Sequence, residues 1–403
     1  MAAQVDQDVI AANLVRFRNR LQWSKKQAAK EAGVAYRTYL KLENAETNFQ
    51  LDTLRKVASA LQVKMAELLR PVPQLSSARF RASSEGLRKR DDILAQVGIW
   101  LQGYNQLEGL LGWDSSRAFI EWLQDYELPA EDLSARERGE RAAREVREFF
   151  GLGRREVIRD ICGLLSANGV KVLPYQTSTD AFFGLSVGPD DGGPAVVVNV
   201  FERISVERWI FTAAHELGHI VMHRGSFDVN EKTEEKTEEN EANWFASEFL
   251  MPDVLFRKEW NETRGLDLVH RVFKLKRMFR VSYQTVLRRL AENRKAEGDH
   301  DAYRNIYALW EDSYERFFET TITSKKFEPE ALDPSGFSEA LRANEREQLS
   351  PSDFVEEGMQ NLVRQAYEAD LITISKVAEY LQTTLADARE LAGEWQQERG
   401  LGI

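Results

Sequence analysis

Trp209-Ile210-Phe211-Thr212-Ala213-Ala214-His215-Glu216-Leu217-Gly218-His219-Ile220-Val221-Met222 decides how this chain is read. The run is apolar on both sides of His-Glu-x-x-His, so it predicts a buried helix. In a helix with ~100° and ~1.5 Å per residue, positions four apart share a face about 6 Å apart along the axis. Both imidazoles can then reach one ion. Glu216 leaves the helix at a neighbouring angle, suited to a water beside that ion rather than to the ion itself. The chain has five histidines, and His215, His219 and His223 fall within nine positions. The alternative is an ordinary buried helix with satisfied histidines, a reading that leaves their clustering unexplained.

A divalent ion used for chemistry needs a third protein ligand and an open position for water. Glu238-Glu239-Asn240-Glu241-Ala242-Asn243-Trp244-Phe245-Ala246 begins acidic and turns apolar, as a helix entering a core would. Glu239 and Asn243 are four apart, so one can ligate while the other orients a ligand. Glu241 lies on another side of that helix, and Glu239 is favoured over it. His223 could donate to an oxyanion, or pack against and orient a ligand; the second reading is preferred. Zinc is the expected ion, with Mn2+ or another divalent metal as the alternative.

Upstream, Val170-Lys171-Val172-Leu173, Phe182 to Val187 and Ala195 to Asn199 read as strands. Asp190-Asp191-Gly192-Gly193 is a hairpin signal. A small sheet followed by a metal-bearing helix is a zincin layout, and an exposed strand beside the metal can hold an extended peptide by strand addition. Residues 136–151 alternate charge above an apolar face and predict a surface helix; Ile158 to Ala167 predicts another, with Cys162 in its core. From about Arg138 to Pro252 the chain resembles the ImmA/IrrE family of metallo-endopeptidases. The resemblance rests on Ala142-Ala143-Arg144-Glu145-Val146-Arg147, Val197-Val198-Asn199, Phe211 to His219 and Glu239 to Pro252. It implies His215, His219 and Glu239 as zinc ligands, Glu216 as general base, and a repressor of the XRE type as the protein substrate.

The bulk composition is consistent with this. A length of 403 residues suggests two to four domains, and 43% apolar residues with nine tryptophans suffice for real cores. No apolar run approaches the ~20 residues of a membrane span. The N-terminus lacks the basic and apolar regions of a signal peptide, and the single Cys162 excludes an internal disulfide. A cytoplasmic protein without membrane contact is expected. Residues 1–70 hold 12 Lys and Arg against 7 Asp and Glu, a net of +5, which leaves −16 on the rest of a chain whose total is −11. Basic charge gathered in one small region points to nucleic acid.

That region reads as five short helices. Ser24 and Gln27 form a capping pattern, Gly33-Val34 a tight turn, and Ala35 to Glu43 the helix after it. Gly33-Val34, Lys41-Leu42-Glu43-Asn44 and Leu54 to Val63 resemble the XRE/Cro-type helix-turn-helix family. The resemblance implies DNA binding, with Tyr36, Arg37, Thr38 and Lys41 presented to the major groove. The chain departs from that family at Lys25, where glutamine is usual, and at Ala28, where leucine is usual. Lys25 would favour a phosphate over base readout.

Together these readings predict a mainly α multidomain chain with a small β-sheet. Residues 8–70 form the helix-turn-helix, 71–91 a linker rich in Pro and Ser, and 92–135 a helical connector. Residues 136–264 form the zincin-like α+β core, 265–295 a helix-turn-helix-like tail and 296–403 a helical C-terminal domain, with a homodimer left open. Arg79, Arg81, Arg88, Lys89 and Arg90 in and around the linker could follow DNA phosphates or lie on a solvated tether. Ile374 to Leu381 resembles the start of a further helix-turn-helix, open to sensing, dimerisation or partner binding. The function expected is a zinc endopeptidase fused to a DNA-binding domain. It would regulate transcription in a stress, mobile-element or phage response by cleaving a repressor or itself. The alternative is a non-cleaving or antitoxin-like regulator that uses the peptidase fold as a metal or ligand sensor.

Overall fold

The computed structural model describes residues 7–21, 23–46, 50–71, 73, 75–82, 90–177, 182–227, 235–319 and 348–401. Expectations placed on residues 83–89, 231–234 and 320–347 lie outside the described residues. The chain divides into two compact units, one of residues 1–74 and 89–99 and one of residues 75–88 and 100–403. The fold is mainly helical with one four-stranded sheet. No helix among the described residues is long and apolar enough to cross a membrane.

The first unit contains α1 (Gln7–Arg20), α2 (Lys25–Glu31), α3 (Tyr36–Glu43), α4 (Leu51–Ala60) and α5 (Met65–Leu69). Its core is one apolar cluster that includes Ile10, Leu14, Phe17, Ala28, Tyr39, Leu42, Leu54, Val57 and Leu68. Ala28, where a larger residue is usual, is fully packed there. The Ser24 hydroxyl accepts from Gln27 N at 3.1 Å and starts α2. Gly33 then turns the chain into α3 with φ 63°, a conformation that costs glycine nothing. Buried Asn13 donates to the Leu68 and Arg70 carbonyls at 3.1 and 2.8 Å, tying the first helix to the last.

In the second unit, β1 (Ala78–Ala82), β2 (Lys171–Tyr175), β3 (Phe182–Val187) and β4 (Ala195–Asn199) form a sheet of order β1-β3-β4-β2. β3 is antiparallel to both β1 and β4, whereas β2 and β4 are parallel. β1 corrects the expectation of a plain linker over 71–91. Its Pro- and Ser-rich flanks mask a strand whose ladder partner lies about a hundred residues away. Asp191 anchors the entry to β1, accepting from Ser76 N at 2.6 Å and also from Ser77 N. Arg79, in the same stretch, is ion-paired within this unit rather than on a solvated tether.

The long α6 (Arg90–Leu111) precedes α7 (Arg117–Asp125), α8 (Ala135–Phe149) and α9 (Ile161–Ala167). After the sheet come α10 (Val206–Met222), α11 (Lys236–Leu250), α12 (Asp253–Glu262), α13 (Leu268–Phe279), α14 (Tyr283–Ala296) and α15 (Ala302–Phe318). The last elements are α16 (Gly358–Glu368), α17 (Ile374–Tyr380) and α18 (Leu385–Leu401). α10 begins at Val206, three residues before the quoted apolar run. The Ser205 hydroxyl caps it by accepting from Arg208 N at 3.3 Å.

The core does not break at residue 264, where a domain boundary was expected. Val269, Val272, Leu275, Val286, Leu287 and Trp310 belong to the same buried cluster as Ala214, Leu217, Phe245 and Phe249. Buried ion pairs reinforce that continuity. Lys276 Nζ lies 2.6 Å from Glu207 Oε1 in the first turn of α10. Arg289 meets Glu248 Oε2 at 2.5 Å and the Met251 carbonyl at 2.7 Å, at the end of α11.

α8 packs closely along α11. A methyl group on Gly139 would stand 2.5 Å from the Glu241 carbonyl oxygen, 2.8 Å from Trp244 Cβ and 2.9 Å from Phe245 N. Helix propensity alone would make Gly139→Ala stabilising by about 1 kcal/mol. Overpacking against backbone reverses the sign, and a loss of about 1–3 kcal/mol is expected in denaturant unfolding. An unchanged or raised midpoint would contradict this packing.

Candidate functional site

α10 is buried almost throughout, and both His215 and His219 are 1% exposed. The site arises where the first turns of α11 cross this helix. His215 Nε2 lies 3.1 Å from His219 Nε2. The Glu239 carboxylate reaches His219 Nε2 at 3.2 Å and His215 Nε2 at 3.4 Å. Donors about 2.0–2.1 Å from a tetrahedral zinc stand about 3.3 Å apart. The three separations therefore fit a single ion of that size. His215, His219 and Glu239 are also a group whose ligand atoms all lie within 4.8 Å of one another.

The chemistry of the donors fits as well. A ligating imidazole must be neutral. Burial above all holds His219 well below the ordinary histidine range, although the Glu239 hydrogen bond pulls the other way. Glu216 follows His215 in α10 and is 1% exposed. It points toward β3. A methyl group on Gly184 would come within 3.0 Å of Glu216 Oε1 and 2.6 Å of Thr212 Cγ2. Glycine at that position lets the sheet close over the helix beside the ligands.

His223 ends α10 and has both ring nitrogens engaged. Its Nδ1 is 2.8 Å from His219 Nδ1, and its Nε2 is 2.9 Å from Glu241 Oε2. Glu241 Oε1 in turn meets Arg138 Nη1 at 2.9 Å. One pattern of protons satisfies this chain of contacts. If His219 keeps a lone pair on Nε2, it donates from Nδ1 to His223, and His223 donates from Nε2 to Glu241. Glu241 thus sits one step back from the three-donor group.

Asn243 is a correction to the expected pattern. It makes no hydrogen bond to the three donors among the described residues. One turn beyond Glu239 along α11, it lines a cavity of about 350 Å³ with Arg208, Phe211, Tyr283 and Arg288. The shared helix face was read correctly, but the advance of about 6 Å along the axis was not weighed.

Two arginines that the sequence reading did not assign to the site surround it. Arg138 lies on the helix that the charge pattern of residues 136–151 predicts at the surface. Arg79 was assigned to the linker. Arg79 Nη1 is bonded to Glu238, and Arg79 Nη2 lies 3.5 Å from Glu239 Oε1. Glu238 also accepts from Ser226 Oγ at 2.5 Å. Burial raises the Glu238 carboxyl pKa, but the Ser226 hydrogen bond and the Arg79 charge outweigh it and hold it below the usual range.

In the first unit, Tyr36, Arg37, Thr38 and Lys41 form an exposed strip on α3, while Tyr39 and Leu42 on its other side are buried. Lys25 lies beside the buried Glu43. Its Nζ is 3.3 Å from Glu43 Oε2, and Arg18 Nε holds the other oxygen at 2.5 Å. The two cations compensate the buried Glu43, and the Lys25 side chain itself stays 39% exposed.

Residues 168–291 match the family model of the IrrE N-terminal-like domain, and residues 14–68 match that of the helix-turn-helix. No curated protein matches the chain. The first match spans β2, β3, β4, α10 and α11, and it runs on through α13 and most of α14. Residues 14–68 are thus a helix-turn-helix domain of the XRE type, fused to an IrrE N-terminal-like domain of the ImmA/IrrE metallopeptidase family at residues 168–291.

Proposed function

We propose that this chain is a zinc-dependent endopeptidase coupled to a DNA-binding domain. It regulates transcription by cleaving a repressor-like protein, or itself, in response to stress or a mobile element. The observation that carries this reading is the trio His215, His219 and Glu239, spaced for one ion beside buried Glu216. Glu216 has no evident use in a purely structural metal site.

A bound zinc would supply Lewis acidity and bring a water to a reactive pKa near neutrality. His215, His219 and Glu239 would hold the ion. Glu216 accepts the proton of the attacking water on its carboxylate and returns it to the leaving amine. His223 orients His219, and Glu241 and Arg138 orient His223. β1 forms the edge of the sheet and offers its outer backbone to an extended peptide. Water is kept from the inner face of the site by β3, whose Gly184 sits against Glu216.

The α3 strip is the surface offered to DNA. Arg37 and Lys41 bear the charge, and Tyr36 and Thr38 the remaining contacts. Binding through that strip would bring the protease to a promoter, where repressors of the XRE type also sit.

Cleavage assays with candidate repressors test the first claim. The unaltered protein is expected to cut, and Glu216→Gln to cut at least about a hundredfold more slowly while keeping its metal. Equal rates would remove Glu216 from the mechanism, and metal-loaded protein that cuts nothing would favour a sensor. For His223, replacement by Ala should weaken zinc binding by about 10–100-fold, read by competition with a chelator. Unchanged affinity would make His223 a packing residue. For DNA, fragments selected from a random pool should bind Arg37→Ala and Lys41→Ala more weakly. A lost phosphate contact lowers the salt slope by about one, and undiminished binding by both variants would exclude α3 as the contact helix.

A further inference from the structure

We propose that Arg79, delivered by β1, is a positioning residue that sets the carboxylate of Glu239 for metal binding. The proposal rests on the metal reading above and adds a residue from outside the matched domain. The first turns of α11 carry Glu238, Glu239 and Glu241, all poorly exposed. Carboxylates so close repel one another, and the low dielectric strengthens the repulsion. Glu241 is held by Arg138 and His223. Glu238 and Glu239 are held by Arg79, whose planar fork can meet two carboxylates at once.

The geometry divides the guanidinium unequally. Its close contact is with Glu238, while Glu239 Oε1 lies 3.5 Å from it and 3.2 Å from His219 Nε2. Arg79 therefore orients Glu239 without displacing it from the histidines. The side chains of Arg79, Glu238 and Glu239 are 12%, 15% and 11% exposed, so water competes weakly for these contacts.

The backbone that carries Arg79 is fixed from two directions. Arg79 pairs with Ser186 of β3 in the ladder. Just before it, Asp191 accepts from Ser76 N and Ser77 N, and Gly188 N donates to the Ser77 carbonyl at 3.0 Å. In the chain, residues 75–88 lie between two stretches of the first unit, 1–74 and 89–99. The strand that steadies a metal ligand is thus covalently joined at both ends to the helix-turn-helix unit. Loss of β1 from the sheet would remove the guanidinium from Glu238 and Glu239.

The test measures zinc affinity by chelator competition on the full-length protein, with metal-free thermal unfolding as the control. Arg79→Ala is expected to bind zinc about 10–100-fold more weakly. Arg79→Lys should recover part of the loss, because an ammonium keeps the charge but cannot span both carboxylates. The cobalt-substituted Arg79→Lys protein should show a shifted d–d spectrum with an unaltered metal-free melting temperature, a change that a merely structural role would not produce. If Arg79→Ala fails to fold, the Lys variant and Glu238→Gln decide, each with reduced affinity expected. Unaltered zinc affinity and cobalt spectrum in the folded variants would overturn the proposal. If the unaltered protein itself binds no zinc, the metal reading fails, and this inference with it.

Discussion

Two imidazoles on one helix and a carboxylate on another can share an ion only if the helices are held to within about half an ångström. That constraint organises the second unit. α10 is fixed at its start by Lys276 on Glu207. α11 is fixed at its end by Arg289, and by Arg147, which donates to the Phe249 carbonyl at 2.6 Å. Between those ends, Gly139 lets α8 rest on the α11 backbone. The residues that hold the helices are spread over α8, α13 and α14, so the fold surrounding the site serves its alignment.

Most of the charges near the site are buried, and those described here are compensated. Glu241 faces both Arg138 and His223, Glu238 faces Arg79 and Ser226, and Glu248 faces Arg289 and Arg144. An isolated buried carboxylate would be costly. Pairing removes that cost and also fixes direction, since each partner accepts or donates along one line. The proton pattern from His219 through His223 to Glu241 is the clearest case. With that pattern, His219 Nε2 is the nitrogen left free of a proton.

What could be read from the sequence was local. The spacing of His215 and His219 lies within one helical turn and needs no knowledge of the fold. β3 and β4 are contiguous runs of β-prone residues joined by a glycine turn, and their limits could be read from composition. Glu239 could be reached because its helix turns from acidic to apolar within a few residues. Arg79, Arg138 and Gly184 could not be reached in this way. Each acts through a partner more than thirty residues away, and none belongs to a local pattern. Asn243 failed for a related reason: the residue type and helix face were right, but the helical rise displaced it. The boundary drawn at residue 264 followed a change of motif, whereas the apolar packing continues across it.

The central claim is that one divalent ion is held by His215, His219 and Glu239 with a coordination position left for water. X-ray absorption at the zinc edge, on full-length protein loaded with one equivalent, tests it most directly. The account predicts four nitrogen or oxygen neighbours at about 2.0–2.1 Å, two of them with the outer-sphere scattering of imidazole, and one imidazole fewer in His219→Ala. A spectrum without imidazole scattering, or one unchanged by loss of His219, would contradict it.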